Sequence, residues 1–437
     1  METTGLLARG EMPQSIEIHG HDEIGHLAEA FNEMAAALHR RFRQQMSEKP
    51  FRPIRPNPFI FGNPIKTERM FYGRQAELEL ARKLLVRATG GLVIVYYGDR
   101  RSGKTSILYQ IDNGALGTQF LPIFVDLQAL AASRFEDEFY ESLAFEISDA
   151  VADEEGIGAL SWDRSEGGGA PAFRSFMREL VQQAAPRRIV ILFDEYETFD
   201  TLIHNGHLSP QTVPFFASFT ETEPPVSFIF SGSDSLENDD AAHCASLFAK
   251  SHAIRIGFLQ RDDASRLIRE PVHELVDYDV GVTSGMLRLT GGQPYYTQAV
   301  CQSLVDHLNR VRRNVCEARD LTNVVDELVS NPPPQMIYFW RQRNSTEKLT
   351  LSLLADLLED PMASATAEAI VAQRGKYPEG EEVSALVAGR ILEHFVGEEF
   401  LESDESDGCR FRMDLFRRWI RRSHSMWRVL REEIQAK

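Results

Sequence analysis

The feature that most constrains the fold is a glycine-rich turn between an apolar run and a segment with helical character. Residues 92–97 are apolar or aromatic, and residues 98–105 match the pattern G-x-x-x-x-G-K-[ST]. In this pattern the glycines let the backbone curl, so that successive N–H groups point at phosphate oxygens. The stretch therefore predicts a strand, a phosphate-binding loop and a helix in that order.

The residue types of the loop predict how it binds a nucleotide. Lys104 is expected to reach the β- and γ-phosphates and to act in catalysis, while the Thr105 hydroxyl ligates Mg²⁺. The helix that opens near Lys104 adds the positive end of its dipole. The predicted nucleotide-binding residues of this stretch are Gly98, Asp99, Arg100, Arg101, Ser102, Gly103, Lys104, Thr105 and Ser106. The predicted ligand is ATP or ADP with Mg²⁺, and the pattern does not exclude GTP.

A second signal is the apolar run of residues 189–193, which is followed by Asp194 and Glu195. Five consecutive apolar residues are typical of a strand buried on both faces. Ligands bind at the carboxyl ends of parallel strands, which is where these two acids fall. Asp194 is therefore predicted to hold the Mg²⁺ shell, and Glu195 to polarise the attacking water.

Three further runs complete the prediction of the fold class. Residues 120–126, 226–230 and 254–256 read as strands, and helical stretches separate them. This alternation predicts an α/β protein with a doubly wound parallel sheet. At the end of the run 226–230, a polar side chain of Ser231 or Ser233 is placed to contact a γ-phosphate.

Composition limits the other classes of function. The chain has 437 residues, which predicts two or three domains, and a net charge of −18, which argues against general nucleic-acid affinity. The cysteines show no paired spacing, so the sequence predicts reduced thiols in a cytoplasmic protein and no zinc site. They are Cys244, Cys301, Cys316 and Cys409.

The N-terminal segment carries an apolar seam of the kind found in paired helices. Ile24, Leu27, Phe31, Met34 and Leu38 are spaced 3, 4, 3 and 4 residues apart. The sequence pattern D-E-I-G-x-L-A-x-A-F-N resembles the second helix of a HAMP linker, the coiled-coil relay that follows a membrane span in many bacterial receptors. Because a lone seam helix has little to pack against, we expect either the cytoplasmic part of a longer membrane receptor or a vestigial relay.

Four boxes together resemble the STAND branch of the AAA+ ATPases over about 280 residues. They are Arg74 in a G-R-x-x-E box, the loop 98–105, the acids after residue 193, and Gly292-Gln293-Pro294 in a helical region. The resemblance implies an ATP-driven signalling switch that oligomerises or acts on a partner signalling protein. It also implies that Arg74 and Pro294 lie against the nucleotide. No arginine finger is identifiable, and residues 231–234 lack the basic residue of some relatives, so hydrolysis is less certain than binding.

The C-terminal segment predicts helices and a short hairpin around residues 404–408, an outline that resembles a winged helix. Within it, Leu415, Phe416, Trp419 and Ile420 form one face of a helix. The opposite face consists of Arg417, Arg418, Arg421 and Arg422. That basic face predicts contact with the DNA backbone, a solvated surface, or docking on acidic parts of the chain.

The predicted organisation has five parts. They are a HAMP-like helical segment at 1–45, a Pro-rich linker at 46–58, the α/β ATPase core at 59–260, a helical lid at 261–330 and a winged-helix-like domain at 335–437. Three functions stay open at this point. The first is a slowly hydrolysing switch coupled to a HAMP relay, the second a DNA-binding regulator with a structural nucleotide site, and the third a scaffold that binds ADP without hydrolysis.

Overall fold

The chain forms two compact units. The computed structural model describes residues 50–162, 168–232, 251–376 and 383–436. One unit is Gly62–Leu259, and the other combines residues 50–61 with the chain from Gln260 onward. The predicted HAMP-like helix at 1–45 lies outside the described residues, as do Ser233, Asp234 and Cys244.

The first unit is built on a parallel sheet. Its strands are β1 (Val93–Tyr97), β2 (Phe120–Asp126), β3 (Arg188–Asp194), β4 (Ser227–Gly232) and β5 (His252–Arg255). They lie in the order β2-β3-β4-β1-β5, and every neighbouring pair is parallel. The prediction of a parallel α/β sheet is confirmed, although the last strand begins two residues earlier than the run at 254–256.

Helices cover both faces of this sheet. They are α1 (Gln75–Arg87), α2 (Lys104–Gln110), α3 (Glu136–Ala150), α4 (Gly169–Ala184), α5 (Glu197–His204) and α6 (Thr212–Ser218). Side chains of a strand alternate between faces, so Ile94 packs with α1 and α2 while Val95 faces the opposite core. That opposite core is rich in aromatic rings from α3 to α6, such as Phe173 and Phe216, which meet edge to face.

The second unit is mainly helical. Its helices are α7 (Arg261–Arg269), α8 (Val282–Thr290), α9 (Pro294–Val311), α10 (Ala318–Ser330), α11 (Pro334–Gln342), α12 (Ser345–Leu357), α13 (Ala367–Arg374), α14 (Ala385–Gly397), α15 (Asp414–Ser423) and α16 (Met426–Ala436). The parallel pair β6 (Asp277–Tyr278) and β7 (Val315–Cys316) joins two of its loops. The antiparallel pair β8 (Leu401–Ser403) and β9 (Cys409–Phe411) forms the predicted hairpin. Ala365 also bridges to Cys409, so the loop between α12 and α13 extends that hairpin.

Residues 50–61, the strap, include the described part of the predicted Pro-rich linker at 46–58, and they pack on α9 and the loop after it. The amide of Asn309 accepts from the backbone N–H of Ile54 at 2.9 Å and donates to its carbonyl at 3.0 Å. Asn314 makes the same pair of bonds with Arg52, at 2.7 Å and 2.8 Å. Ile54 and Phe59 are fully buried. Amide side chains on and after α9 thus satisfy backbone groups of the predicted semi-rigid linker at Arg52 and Ile54.

None of the helices in the described ranges is both long enough and apolar enough to cross a membrane. Cys301, Cys316 and Cys409 are free and buried.

Candidate functional site

The glycine-rich turn adopts a backbone that two of its glycines make possible. Gly98 has φ +144° and Gly103 has φ +100°, a region that L side chains rarely adopt. A Cβ on Gly98 would lie 2.4 Å from the carbonyl oxygen of Ile256, so close packing also excludes a side chain there. Gly103 is the N-cap of α2, and no atom lies within 4 Å of the position of a Cβ. The loop is therefore tightly packed at Gly98, where it leaves β1, and unobstructed at Gly103, where α2 begins.

Lys104 is buried inside the curl of this loop, with 8% of its surface exposed. Its Nζ donates to the carbonyl oxygens of Gly98 at 2.7 Å and Asp99 at 2.8 Å. Burial lowers the pKa of Lys104, while the negative charges of Glu197 and Glu195 raise it. The ammonium is thus held by neutral partners of its own loop, which an anion at the same place would replace with stronger charge-assisted bonds.

Asp194 meets the start of α2 because the strands around it are in register. In the sheet Asp194 is paired with Asp126 of β2 on one side and Ser231 of β4 on the other. The hydroxyl of Ser231 donates to Asp194 Oδ1 at 2.6 Å, and the Thr105 side chain also hydrogen-bonds the Asp194 carboxyl. Burial raises the pKa of Asp194, and these two hydrogen bonds oppose that shift. The two predicted metal ligands are therefore adjacent.

Glu195 adopts a strained backbone conformation next to this pair. Its φ of +58° is in the left-handed region, which is uncommon for a residue other than glycine. The turn is fixed because the N–H of Tyr196 donates to the carbonyl of Ser231 at 3.0 Å. A Cβ on Gly232 would lie 2.2 Å from the ring of Tyr196, so only glycine fits beneath it. Burial, followed by the charges of Glu197 and Asp194, raises the pKa of Glu195.

The donors and acceptors here fit a magnesium nucleotide. The hydroxyl oxygen of Ser102 is buried in the loop and has no hydrogen-bond partner in the described part of the chain, which is costly unless a ligand satisfies it. A hydroxyl from Thr105 and a carboxylate from Asp194 are hard oxygen ligands of the kind Mg²⁺ takes. No group of three or more His, Cys, Asp or Glu residues in the described ranges forms a cluster of metal ligands. Magnesium at this place would therefore share its shell with phosphate oxygens and water.

Arg74 lies against the phosphate loop. It is the N-cap of α1 with φ +70°, and it is buried. Its Nη2 donates to the carbonyl oxygens of Ser102 at 3.0 Å and Gly257 at 2.5 Å, and its Nη1 pairs with Glu77 at 3.2 Å. The predicted contact of Arg74 with nucleotide stays a prediction, while its contact with the loop backbone is direct.

Other predicted loop residues fix the chain that follows the strap. Arg101, with φ +68°, donates to the carbonyl of Gly62. The hydroxyl of Ser106 accepts a hydrogen bond from the backbone N–H of Ile65 at 2.9 Å. Arg100 and Asp99 are at the exposed rim of the loop.

Pro294 belongs to the other unit. Gly291, with φ +60°, ends α8, and Pro294 is the first residue of α9, as the sequence predicts. The side chain of Gln293 caps α9 by accepting from the N–H of Tyr296 at 3.0 Å. The approach of Pro294 to a nucleotide stays a prediction.

The predicted basic face on α15 is wrong for Arg417. This residue is buried, with Nε on Asp414 at 2.6 Å and Nη1 on the carbonyl oxygen of Leu358 at 2.5 Å. Arg418 donates to the same Asp414 at 2.7 Å, and Arg421 reaches Leu358 at 3.4 Å. Leu358 is the C-cap of α12, where carbonyl groups lack helical partners. The basic residues of α15 thus bind the end of a neighbouring helix as well as facing solvent.

Sequence reasoning missed two contributions to the site. Glu197 exerts the largest opposing charge effect on the pKa of Lys104, yet the sequence places it two residues beyond the predicted acids. Ser231 was expected to reach a phosphate, and the structure places its hydroxyl on Asp194 instead. The pairing of Ser231 with Asp194 needs the strand order, which puts β4 beside β3.

Comparisons with known proteins agree with this architecture. Residues 1–40 match the family model described as the HAMP domain. A Walker-type ATPase of Pyrococcus abyssi is similar at TM-score 0.57 and 12% identity, over 82% of this chain and 98% of that one. The ORC2 protein of Aeropyrum pernix, solved in ADPNP and ADP complexes, is similar at TM-score 0.56 and 11% identity, over 89% of this chain and 100% of that one. A search among curated proteins gave no match.

These likenesses establish the fold. The chain has an α/β fold similar to that of these two proteins, with a parallel sheet and a mainly helical C-terminal part, and residues 1–40 match the HAMP domain.

Proposed function

We propose that the chain is a STAND-type switch that binds ATP with Mg²⁺ at the loop 98–105 and hydrolyses it slowly. The observation that carries the proposal is the meeting of Lys104, Thr105 and Asp194 at one end of the sheet. The loop N–H groups and Lys104 would hold the phosphates, and the Thr105 and Asp194 oxygens would hold the metal. Magnesium supplies charge neutralisation between phosphate oxygens.

Glu195 is the residue that we assign to activation of water. It follows the metal ligand directly, and its strained turn is fixed by Tyr196 and Gly232. Its raised pKa brings it closer to neutral pH than an ordinary glutamate, which suits a general base. Because the neighbouring acids repel its charge, a bound cation would favour the ionised form.

Signal coupling is proposed from the N-terminal side. The segment that follows the HAMP-matching residues docks along α9 through Asn309 and Asn314. From residue 62 the chain contacts the phosphate loop through Arg101 and Ser106. One covalent path thus leads from the N-terminal segment through a docked strap to the loop, which supports a switch in the cytoplasmic part of a receptor.

The test compares assembly size in three nucleotide states. The purified chain is measured by light scattering without nucleotide, with Mg–ADP and with Mg–ATP. We expect a change of size between the ADP and ATP states, for self-assembly or in the presence of a partner signalling protein. Glu195→Gln should retain ATP and the ATP-state size while phosphate release slows about 100-fold. Glu221→Gln, a change at an exposed acid, is the matched control.

Three results would contradict the proposal. An absence of nucleotide binding would remove it altogether. Retained ADP with no phosphate release favours the scaffold, and equal size in all states excludes an assembly switch. GTP competing as well as ATP would change the ligand but not the site.

A further inference from the structure

The chain that leaves the sheet toward the second unit is fixed to the phosphate loop at two places. At the start of the loop, the carbonyl oxygen of Ile256 packs against the Cα of Gly98, where a Cβ would come within 2.4 Å. The N–H of Ile256 also donates to the carbonyl of Tyr97 at 2.7 Å. At the end of the loop, Nη2 of Arg74 donates to the carbonyl oxygens of both Ser102 and Gly257. The boundary between the two units follows Leu259, two residues later.

Arg74 is well suited to join two backbone segments. A guanidinium has five donors in a rigid plane, so it can hold several acceptors in fixed geometry, which a lysine cannot. Here the guanidinium of Arg74 donates to two carbonyl oxygens and to the carboxylate of Glu77. The side chain is buried, and hydrogen bonds from a buried charge to carbonyls are stronger than those between neutral groups. Movement of the Ser102 carbonyl therefore requires movement of Arg74, of Gly257 or of both.

The position of Ser102 links this contact to ligand binding. Its carbonyl accepts from Arg74, while its buried hydroxyl has no hydrogen-bond partner among the residues that the structure describes. Any ligand that satisfies this hydroxyl acts on the residue whose carbonyl is bound to Arg74. Ser102 thus contacts Arg74 through its backbone carbonyl and offers its hydroxyl to the proposed ligand.

We propose that Arg74 is a positioning residue that transmits occupancy of the phosphate loop to the chain segment 256–260 at the boundary of the two units. This inference rests on the proposed nucleotide binding, and it assigns to Arg74 a role other than contact with the ligand. Binding rearranges the loop around Ser102, and the guanidinium carries that change to Gly257.

Arg74→Asn is the most informative variant. Asparagine tolerates a positive φ and is a favourable N-cap, so the start of α1 keeps its backbone while the guanidinium is lost. Arg82→Gln is the matched control on the same helix, because Arg82 is exposed and its ion pair is with the neighbouring Glu79. Glu77→Gln is a milder second variant, which keeps an acceptor for Arg74 but removes the charge.

Hydrogen exchange of the peptide 255–262 gives the readout. Without nucleotide, Arg74→Asn should exchange about tenfold faster in this peptide than wild type, and Arg82→Gln should match wild type. Saturating Mg–ATP should slow the exchange in wild type and leave Arg74→Asn unchanged. The affinity of Arg74→Asn for ATP should weaken by about tenfold or less, since the loop loses a hydrogen bond to the Ser102 carbonyl and not a contact with phosphate. Glu77→Gln should give an intermediate response.

The outcomes separate this inference from the proposed function. If the peptide 255–262 exchanged equally fast in wild type and Arg74→Asn without nucleotide, Arg74 would not restrain this segment, whether or not ATP binds. A variant that binds ATP and still shows the wild-type response would overturn transmission. Loss of ATP binding in Arg74→Asn alone would show that Arg74 contacts the ligand instead. Failure of wild type to bind any nucleotide would remove the proposed function, while the nucleotide-free comparison would still test whether Arg74 restrains this segment.

Discussion

Two buried cations in this chain have opposite surroundings. Lys104 lies in the phosphate loop with 8% of its surface exposed, and its ammonium donates to two neutral carbonyls of the same loop. Arg417 lies in α15 with 4% exposed, and it binds the carboxylate of Asp414 together with the carbonyl of a neighbouring helix end. The charge of Arg417 is neutralised within the fold, whereas that of Lys104 is held by partners that a phosphate can replace.

The difference separates a structural cation from a ligand-binding one. A buried charge costs free energy unless it is paired, and a site that keeps such a charge unpaired is a candidate for function. Burial alone therefore does not distinguish the two residues. What distinguishes them is whether a carboxylate satisfies the charge, as at Arg417, or whether the acids only act from a distance, as at Lys104.

The largest effect on stability is expected at Arg417. Among the described residues, Arg417→Ala leaves the buried Asp414 with Arg418 as its partner, and it leaves the carbonyl of Leu358 with the longer 3.4 Å bond from Arg421. We expect the free energy of unfolding to fall by about 3 kcal/mol, measured by chemical denaturation. Affinity for ATP should not change in the folded variant.

Arg422 provides the control for this prediction. It is exposed on the same helix, so Arg422→Ala should change the free energy of unfolding by no more than about 0.5 kcal/mol. If both variants had equal stability, the structural role of Arg417 would be wrong. Salt-dependent binding of duplex DNA that is lost in Arg422→Ala would restore the alternative of a DNA contact.

A smaller effect is expected on the pH dependence of ATP binding. Burial lowers the pKa of Lys104 in the free protein, and bound phosphate favours its charged form. Above the lowered pKa the lysine must take up a proton when ATP binds, so affinity falls as pH rises, beginning below the usual range of lysine. Calorimetry at increasing pH in two buffers of different ionisation enthalpy would detect that uptake.

The control for the pH profile is Lys104→Arg, whose charge persists over the whole range. Its affinity should be weaker than that of wild type but should lack the alkaline decline. The same decline in both proteins would place the titrating group elsewhere.

The strands and the phosphate loop could be predicted because their signals are local. Glycine is required at residue 98 by a positive φ and by the nearness of Ile256, and β-branched residues before it favour a strand. The apolar run before Asp194 likewise reflects burial on both faces of a parallel sheet.

The roles of Arg74, Arg417 and the strap could not be predicted, since each depends on a distant partner. Arg74 binds a carbonyl 183 residues away, and Arg417 binds one 59 residues away. The proline spacing before residue 58 predicts extended chain, but the amides of Asn309 and Asn314 that bind this segment lie 255 and 262 residues later. Sequence periodicity reports which face of an element is polar, and it does not report what that face binds.

The most direct test of the account is the affinity for Mg–ATP of wild type, Lys104→Ala and the exposed control Lys83→Ala, measured by calorimetry. The account predicts that Lys104→Ala weakens binding by at least about 100-fold, because a charge-assisted bond to phosphate is lost. Its free energy of unfolding should stay within about 1 kcal/mol of wild type, since the lysine has only neutral hydrogen-bond partners. Lys83→Ala should bind as wild type does. Unchanged affinity in a folded Lys104→Ala variant would contradict the account.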